Sequence, residues 1–271
     1  MKRWINKRPG RLQKVALGAV PFVLLIALYQ WGSDVRKADN PADKLLPSLS
    51  EMGAAVDRLA LTASKRTGER VFWQDTASSL KRLSMGIGIA ALIGLLVGLL
   101  TGAIPLLGAS LNPLITVISL VPPLALLPIL FIVFGLGEVS KVVLIAIGVT
   151  PFLARDIYQR TLEIPAEQLV KAQTLGGNSS QIIQRVLLPQ VLPRLLDAVR
   201  LSLGAAWLFL IAAEAIAASD GLGYRIFLVR RYLSMDVILP YVAWITLLAF
   251  LLDWVLLWLS RQIFPWYHHA K

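Results

Sequence analysis

The sequence contains no cysteine, only two histidines and few charged residues, which make up 16% of its 271 positions. Without cysteine the chain has neither disulfides nor thiolate metal sites. Soluble globular domains carry about 25% charged residues, whereas 56% of this chain is apolar and its mean hydropathy is +0.68. The composition therefore argues against a soluble domain and predicts a protein that crosses a membrane several times.

Signatures of enzymes and of nucleotide binding are also missing. The sequence has no glycine-rich phosphate loop that ends in Gly-Lys-Ser or Gly-Lys-Thr. It shows no cluster of His, Asp and Glu and no nucleophile–base pairing, which argues against a membrane-embedded enzyme. His268 and His269 are adjacent in the tail without other ligands nearby, so we expect no metal site. The net charge of +11 does not indicate nucleic acid, because the basic residues cluster at the ends of apolar runs.

Six apolar segments account for most of the chain. Each approaches the roughly 20 residues that a helix needs to cross a bilayer. The sequence therefore predicts an all-α, polytopic membrane protein with about six transmembrane helices, in a single domain over residues 1–271. The segments cover residues 15–31, 83–103, 111–134, 139–158, 201–218 and 238–260.

The first segment follows six basic residues within positions 1–14. A basic head before a short apolar run is typical of a cleaved signal peptide. This run, however, ends in Tyr29 and Trp31 without a small-residue cleavage pattern, and aromatic residues suit a membrane interface. We therefore expect a retained first helix with a cytoplasmic N-terminus.

The positive-inside rule gives conflicting indications of this orientation in different parts of the chain. The polar stretch 32–82, expected outside the membrane, holds nine Lys and Arg, more than the N-terminus. After six crossings from a cytoplasmic N-terminus, the polar connection 155–200, with six Lys and Arg, lies in the cytoplasm, as the positive-inside rule requires. An odd number of crossings would invert this assignment.

The second segment has a ridge of small residues at every fourth position. Lipid offers no hydrophobic drive for helix association, so such ridges permit the close backbone approach that packing needs. The ridge indicates either packing within one subunit or a pore or dimer interface. Its members are Gly86, Ala90, Gly94, Gly98 and Gly102.

The third segment contains four prolines, at Pro113, Pro122, Pro123 and Pro128. Each proline removes a backbone donor and bends a helix. Irregular backbone at membrane depth often lines a pathway, although proline is also common in membrane helices. Pro122 and Pro123 are therefore candidate residues of a translocation pathway.

Two acids fall inside apolar segments. Ionisable groups at such depth usually face a partner or an aqueous cavity. Glu214 is a candidate pathway or gate residue, with a structural ion pair as the alternative, and we expect Asp253 to be structural. These acids also motivate an alternative function, an ion- or proton-coupled secondary transporter or channel. Such folds often contain internal repeats, and the sequence shows none.

The polar connection predicts two short helices. Residues 166–175 favour a helix that begins after Pro165 and ends at Gly176 and Gly177. Asn178 or Ser179 then caps a second, amphipathic helix, after which prolines 189 and 193 redirect the chain. A helix presented in this way fits the groove of a partner; a solvated connector is the alternative. The apolar side of the second helix holds Ile182, Ile183, Val186 and Leu187.

This connection resembles the loop by which bacterial ATP-binding-cassette (ABC) importer permeases dock onto their ATPase subunits. The permease motif is Glu-Ala-Ala, three residues, Gly, nine residues, Ile, one residue, Leu-Pro. The sequence matches this motif at the right spacing at Ala172, Gly176, Leu188 and Pro189. Val186 replaces Ile. Val170 and Lys171 stand where Glu and the first Ala are usual. The resemblance implies an ATPase-coupling loop made by Leu169, Val170, Lys171, Ala172, Leu175, Gly176, Val186, Leu188 and Pro189.

Other segments are similar to the nitrate/sulfonate/taurine branch of these permeases. They are residues 46–51, 79–82, 122–128, 134–141, and 213–214 with 221–224. Residues 230–236 are also similar to relatives associated with urea carboxylase. The resemblance therefore implies a small polar solute, either nitrate/sulfonate/taurine-like or guanidine/urea-like.

The resemblance further implies a type I ABC importer permease fold in the bacterial inner membrane. Its expected partners are a cytoplasmic ABC ATPase dimer, a second permease copy in a homodimer, a periplasmic or surface solute-binding protein and the lipid bilayer. ATP and Mg would bind to the partner ATPase, and this chain itself would bind no cofactor and no nucleic acid.

Overall fold

The computed structural model describes residues 10–40, 43–63 and 68–269. Within these ranges the chain is helical and contains no strand. The basic residues that precede Gly10 lie outside the described residues. The helices are α1 (Arg11–Asp39), α2 (Leu49–Ala60), α3 (Val71–Ala103), α4 (Pro105–Ser119), α5 (Leu127–Phe134), α6 (Glu138–Leu162), α7 (Ala166–Thr174), α8 (Ser179–Ile182), α9 (Leu188–Ala217), α10 (Leu222–Arg230), α11 (Met235–Ile263) and α12 (Pro265–His269).

Four helical stretches of the described chain are long and apolar enough to cross a membrane. They are α1, α3, α11, and α9 together with the helical turns that precede it from Ser179. A bent pair, α4 and the helical segment Pro123–Phe134, adds a fifth, with an 82° bend at its break. The remaining long helix, α6, has 25 residues and lies in the middle of the bundle.

The small-residue ridge of α3 packs against α6 within the same chain. Each glycine of the ridge meets the residue 59 positions further along, so the two helices run parallel and in register. A Cβ added at any of these glycines would lie within 2.7 Å of α6 atoms. Of the two interpretations of the ridge, the structure therefore supports packing inside one subunit. The contacts are Gly86–Ile145, Gly94–Leu153, Gly98–Ile157 and Gly102–Thr161.

Side-chain contacts define two ends of the bundle. At one, Arg82 near the start of α3 binds Glu138 at the start of α6 and Glu214 near the end of α9. At the other, Arg200 in the first half of α9 binds Asp253 in the second half of α11. We call the first the cluster end and the second, which carries residues 163–187, the loop end. Helices α3, α6 and α11 run from the cluster end to the loop end, and α9 runs back.

Helix α1 is anchored at the cluster end. The hydroxyls of Tyr29 and Ser33 donate hydrogen bonds to the carbonyls of Pro47 and Leu46, at 2.7 and 2.8 Å, just before α2. No residue in the most apolar part of α1 is buried within the described chain. In a bilayer it crosses towards the loop end, because its apolar side chains need hydrocarbon contact. By length and apolarity the described chain has four spans, or five with the broken pair, and α6 runs in register along α3 through the same bundle.

Two details differ from the sequence prediction. Helix α3 begins at Val71, well before residue 83, because Asp75, Ser79 and Arg82 are buried against other helices and not solvated in a loop. The prediction that prolines 189 and 193 redirect the chain was wrong. A π-helical turn over Ile183–Leu187 joins α8 to α9 directly before Pro189, and such a local adjustment accommodates a proline, which lacks an N–H, inside a continuous helix.

Candidate functional site

The loop end carries a short helical hairpin. Helix α7 begins after Pro165, and the chain turns at Gly176, whose φ is +81°. Glycine adopts this left-handed conformation without the steric penalty of a Cβ. The N–H groups of Gly176 and Gly177 donate to the carbonyls of Gln173 and Ala172 at 2.9 and 3.0 Å. The predicted short helix with a glycine stop is therefore present.

The second half of the hairpin begins at a capping box. The Asn178 side-chain oxygen accepts a hydrogen bond from the Gln181 N–H at 2.8 Å, and the Gln181 side chain accepts one from the Asn178 N–H at 3.0 Å. This reciprocal pair satisfies two donors of the helix start. The helix then buries Ile182 and Leu187 against the bundle. Asn178, and not Ser179, is the cap.

The predicted coupling residues fall into three groups. Leu169 and Ala172 are half-buried on the side of α7 that faces the bundle. Val186, Leu188 and Pro189 are half-buried at the base, where α9 begins. The remaining four lie on the outer side of the hairpin and are exposed: Val170, Lys171, Leu175 and Gly176.

A side-chain bond ties the hairpin to the base of α9. The Gln190 amide donates to the Gln168 side-chain oxygen at 2.9 Å and to the Val186 carbonyl at 2.8 Å. A cavity of about 440 Å³ lies between α7, the start of α8 and the end of α3, and Leu169 and Ile183 are among its lining residues. The hairpin thus contacts the bundle at its base and leaves its outer side free of the chain's own core.

The cluster end is built around Arg82. Its side chain is 3% exposed and binds three carboxylates, those of Glu138 at 2.6 Å, Glu214 at 2.8 Å and Asp220. Glu214 is fully buried and also accepts hydrogen bonds from the Ser79 hydroxyl at 2.8 Å and from the Gly223 N–H at 2.9 Å. Sequence reasoning missed Arg82 as an interior residue, although it lies in one of the segments that resemble the permease family.

A second buried carboxylate extends this cluster. Asp75 is fully buried and accepts hydrogen bonds from Arg225 at 2.8 Å, from the Tyr241 hydroxyl at 3.1 Å and from the Gly221 N–H at 3.0 Å. Gly221 has φ +115°, and a Cβ there would lie 2.6 Å from the Glu214 carboxylate. Only glycine fits this turn between α9 and α10, so the turn is locked to α3.

The two acids noted in the sequence are both paired with arginine. Glu214 binds Arg82, and Asp253 receives two hydrogen bonds from Arg200, at 2.8 and 3.0 Å. For Glu214 these contacts favour the ion-pair interpretation over a pathway lining. Both acids that motivated the alternative of an ion- or proton-coupled transporter therefore have a cation as partner within the described chain.

Pro122 and Pro123 lie at the break between α4 and α5. Pro122 is exposed, and Pro123 starts a short 3₁₀ turn, Pro123–Leu126, that precedes α5. A cavity of about 470 Å³ lies between this break and α6; Pro123, Phe152 and Arg155 are among its lining residues. The two prolines thus lie at the break itself, and Pro123 borders the cavity. Sequence reasoning placed Arg155 at the edge of a polar loop and did not single it out.

Within the part of the chain that the structure describes, no group of three or more His, Cys, Asp or Glu side chains is arranged to hold a metal ion. The apolar spans, the buried ion pairs and the helical hairpin together define a class, the helical membrane proteins with several spans. Residues 90–267 match the family described as the binding-protein-dependent transport system inner membrane component, and the chain belongs to this family.

Individual relatives agree with this assignment. The chain is 37% identical over 203 residues to the taurine transport system permease protein of Escherichia coli (strain K12), covering 75% of this chain and 74% of that protein. It is 34% identical over 269 residues to the bicarbonate transport system permease protein of Synechococcus elongatus, covering 97% and 93%. An inward-facing structure of the MetNI methionine ABC transporter aligns with a TM-score of 0.63 at 22% identity, covering 71% of this chain and 96% of that chain.

The comparisons confirm three predictions from the sequence. The chain has the type I ABC importer permease fold, it is similar to the nitrate/sulfonate/taurine type, and it acts as a permease subunit of an ABC importer. The family is a membrane-spanning permease component and not itself an ATPase.

Proposed function

We propose that the hairpin at residues 163–187, within the predicted coupling loop 155–200, docks this chain onto a cytoplasmic ABC ATPase. The observation that carries the proposal is the outer side of α7 and its turn. Val170 is 54% exposed and Leu175 is 88% exposed, although both are apolar and lie on an otherwise polar surface element. Exposed apolar side chains on a surface helix are typical of helix-in-groove recognition.

The base of the hairpin explains how docking would act on the pathway. Helix α9 continues from the hairpin through a single helical stretch, Ser179–Ala217, that reaches the cluster end. Gln190 links this stretch to Gln168 of α7. When the ATPase dimer closes and moves the hairpin, α9 transmits the displacement to the opposite end of the bundle. Docking supplies the differential contact that a two-state transporter needs.

The orientation that fits this role places the loop end in the cytoplasm and the cluster end outside. With the broken pair and α6 each counted as a span, six traverses put the N-terminal end of α1 on the same side as the hairpin. Six basic residues precede or begin that helix, and basic residues favour the cytoplasmic side. We therefore place the chain in the bacterial inner membrane with a cytoplasmic N-terminus.

The assembly that we propose is a homodimer of this chain with an ABC ATPase dimer, which binds ATP and Mg, and an external solute-binding protein. The relatives act on taurine and bicarbonate according to their names. We accordingly propose a small polar solute of the nitrate/sulfonate/taurine kind. The alternative, a guanidine- or urea-like solute, rests on residues 230–236, which the structure places at the cluster end between α10 and α11.

The test is Leu175→Asp in the full-length chain, coexpressed with its partner ABC ATPase. Leu175 is so exposed that the change leaves the fold intact, whereas a carboxylate in an apolar groove of the partner weakens docking. We expect copurification of the ATPase with the tagged permease to fall at least tenfold, while the melting temperature of the permease stays unchanged.

The matched control is Ser180→Asp, which adds the same charge to the same hairpin. Ser180 is exposed in the first turn of α8, where a negative charge is favourable. The Ser180→Asp permease should therefore still copurify with the ATPase. Equal retention by both variants would refute docking through the outer side of α7.

A further inference from the structure

We infer that Arg155, beside the break between α4 and α5, forms an anion-binding site in the translocation pathway, about 10 Å from the loop end of α3. The site consists of the Arg155 guanidinium, the Ser119 hydroxyl and the cavity of about 470 Å³ between the break and α6. Its role in transport rests on the proposed function, but the presence of the site can be measured independently.

The depth of Arg155 follows from the packing of α6 on α3. Leu153 lies against Gly94 and Ile157 lies against Gly98, so Arg155 is level with Leu96. Leu96 is seven residues from the last residue of α3, Ala103, which corresponds to about 10 Å along the helix axis. Arg155 is therefore attached about 10 Å inside the loop end of α3, at the point where the last, more polar turns of α6 begin.

The charge of Arg155 is not neutralised inside the chain. Its guanidinium donates one hydrogen bond, to the Ser119 hydroxyl at 2.9 Å. Among the described residues no carboxylate lies within ion-pair distance of it, whereas Arg82 and Arg200 each bind at least one carboxylate. Arg155 is also exposed. A charged, exposed side chain at this depth is costly against lipid and faces a water-filled space instead.

The backbone beside Arg155 supports the same conclusion. The chain between α4 and α5 is bent by 82° and is not helical at Val121 and Pro122, which are both exposed. Non-helical backbone at membrane depth is tolerated only inside protein or along an aqueous cavity. Two independent features, an unpaired cation and an open helix break, therefore border one cavity.

The chemistry of the cavity selects its ligand. A guanidinium binds a carboxylate or sulfonate with two parallel hydrogen bonds, and a serine hydroxyl adds a third donor. Ile118, Phe152 and Pro123 give the cavity an apolar wall, and its volume lies in the usual range for small-molecule sites. The class of ligand is thus a small organic anion with a short apolar part. Asp156 also lines the cavity, but its carboxylate lies 3.6 Å from the Arg160 guanidinium and is paired with it, which leaves Arg155 as the cation without an acid.

The test uses the absence of cysteine from the sequence, which makes any introduced thiol unique. Phe152→Cys places a thiol on the cavity wall, one helical turn from Arg155. Membranes that contain the full chain with its ATPase are treated with an anionic (2-sulfonatoethyl) and a cationic (2-trimethylammonioethyl) methanethiosulfonate of similar size. The measurement is the ratio of the two modification rates, with and without the second change Arg155→Gln.

We expect Cys at position 152 to react, and the anion-to-cation rate ratio to fall about tenfold when Arg155 is replaced by Gln, because a unit charge acts strongly over one helical turn in a cavity. Ethanesulfonate should slow modification in the presence of Arg155, and guanidinium chloride at equal concentration should not. The control is Leu96→Cys, at the depth of Arg155 and on an exposed apolar face of α3. It should react at least tenfold more slowly than Cys at position 152.

Two results would overturn the inference: a thiol at position 152 as unreactive as one at position 96, or a rate ratio unchanged by Arg155→Gln. Reconstitution in phosphatidylcholine separates a solute site from a lipid headgroup site, since that lipid carries no net negative charge; loss of the ratio difference there would also count against a solute site. Failure of ATPase docking would appear in the Leu175→Asp experiment and would leave these rates unaffected.

Discussion

The cluster end and the loop end of the bundle differ in how far their side chains are buried and partnered within the chain. At the cluster end, Arg82, Glu214 and Asp75 are buried, and each finds its partners within the chain. At the loop end, every residue of α7 is exposed or half-buried, and the apolar side chain of Leu175 points away from the core. The cluster end is complete by itself, whereas the loop end presents a surface that a partner completes.

The difference corresponds to two roles in a transporter that a partner drives: one end holds its shape, and the other end moves with the partner. A turn that must hold its shape while helices move benefits from many charge-assisted hydrogen bonds, which are the strong ones. A surface that must follow a partner benefits from few internal contacts, because low local stability permits movement. The comparison predicts that damage to the cluster end lowers global stability and damage to the hairpin lowers coupling alone.

The largest effect is expected from Arg82→Met. This change leaves the fully buried Glu214 without its cation, and breaking a buried pair by removing one partner costs about 3–5 kcal/mol. We expect loss of most monodisperse protein in detergent and a large drop in melting temperature. The control is Arg36→Ala, which breaks the partly exposed pair with Asp43 and should cost less than about 1 kcal/mol. Equal stability of the two variants would contradict the proposed role of the cluster.

The next effect concerns the helix ridge that connects the two ends. Gly98→Leu places a Cβ 2.6 Å from the Ala154 carbonyl oxygen, which is backbone and cannot move aside easily. Overpacking of this kind costs about 1–3 kcal/mol. Gly88→Leu, in the same helix, faces open space in the described chain and should leave the melting temperature nearly unchanged. A ridge that instead formed a dimer interface would show loss of dimer before loss of fold.

Gly176→Val should separate stability from coupling. Valine is strained at φ +81°, and a left-handed conformation costs an L-residue about 1–2 kcal/mol. The strain is confined to an exposed turn, so we expect a melting temperature close to that of the parent but ATP-driven uptake by the complete transporter reduced at least fivefold. Unchanged uptake would argue against a coupling role for this turn.

The smallest effect is expected from Asn178→Ala. Loss of the cap removes the acceptor for the Gln181 N–H and costs about 1 kcal/mol. Hydrogen exchange should accelerate for residues 179–183 and stay constant in α3 and α6. Acceleration that spread through α9 would show that the two ends are less independent than their contacts indicate.

Much of the loop end was predictable because its signals are local. Pro165, Gly176 and Asn178 each act within a few residues, and the structure places a helix start, a turn and a cap at those positions. The course of the chain after the hairpin was not predictable from Pro189 and Pro193. A π-helical turn and packing of α9 against α6 carry the helix through both prolines.

The sequence alone determined the class of protein, because apolarity and segment length decide whether a chain enters lipid, and because the loop motif lies within one short stretch. Only the tertiary structure decided the states of the charged residues. Arg82 meets Glu214 across 132 positions, while Arg155 remains without an acid in the described chain. Pairing between distant helices depends on their register, and no local pattern along the chain records that register.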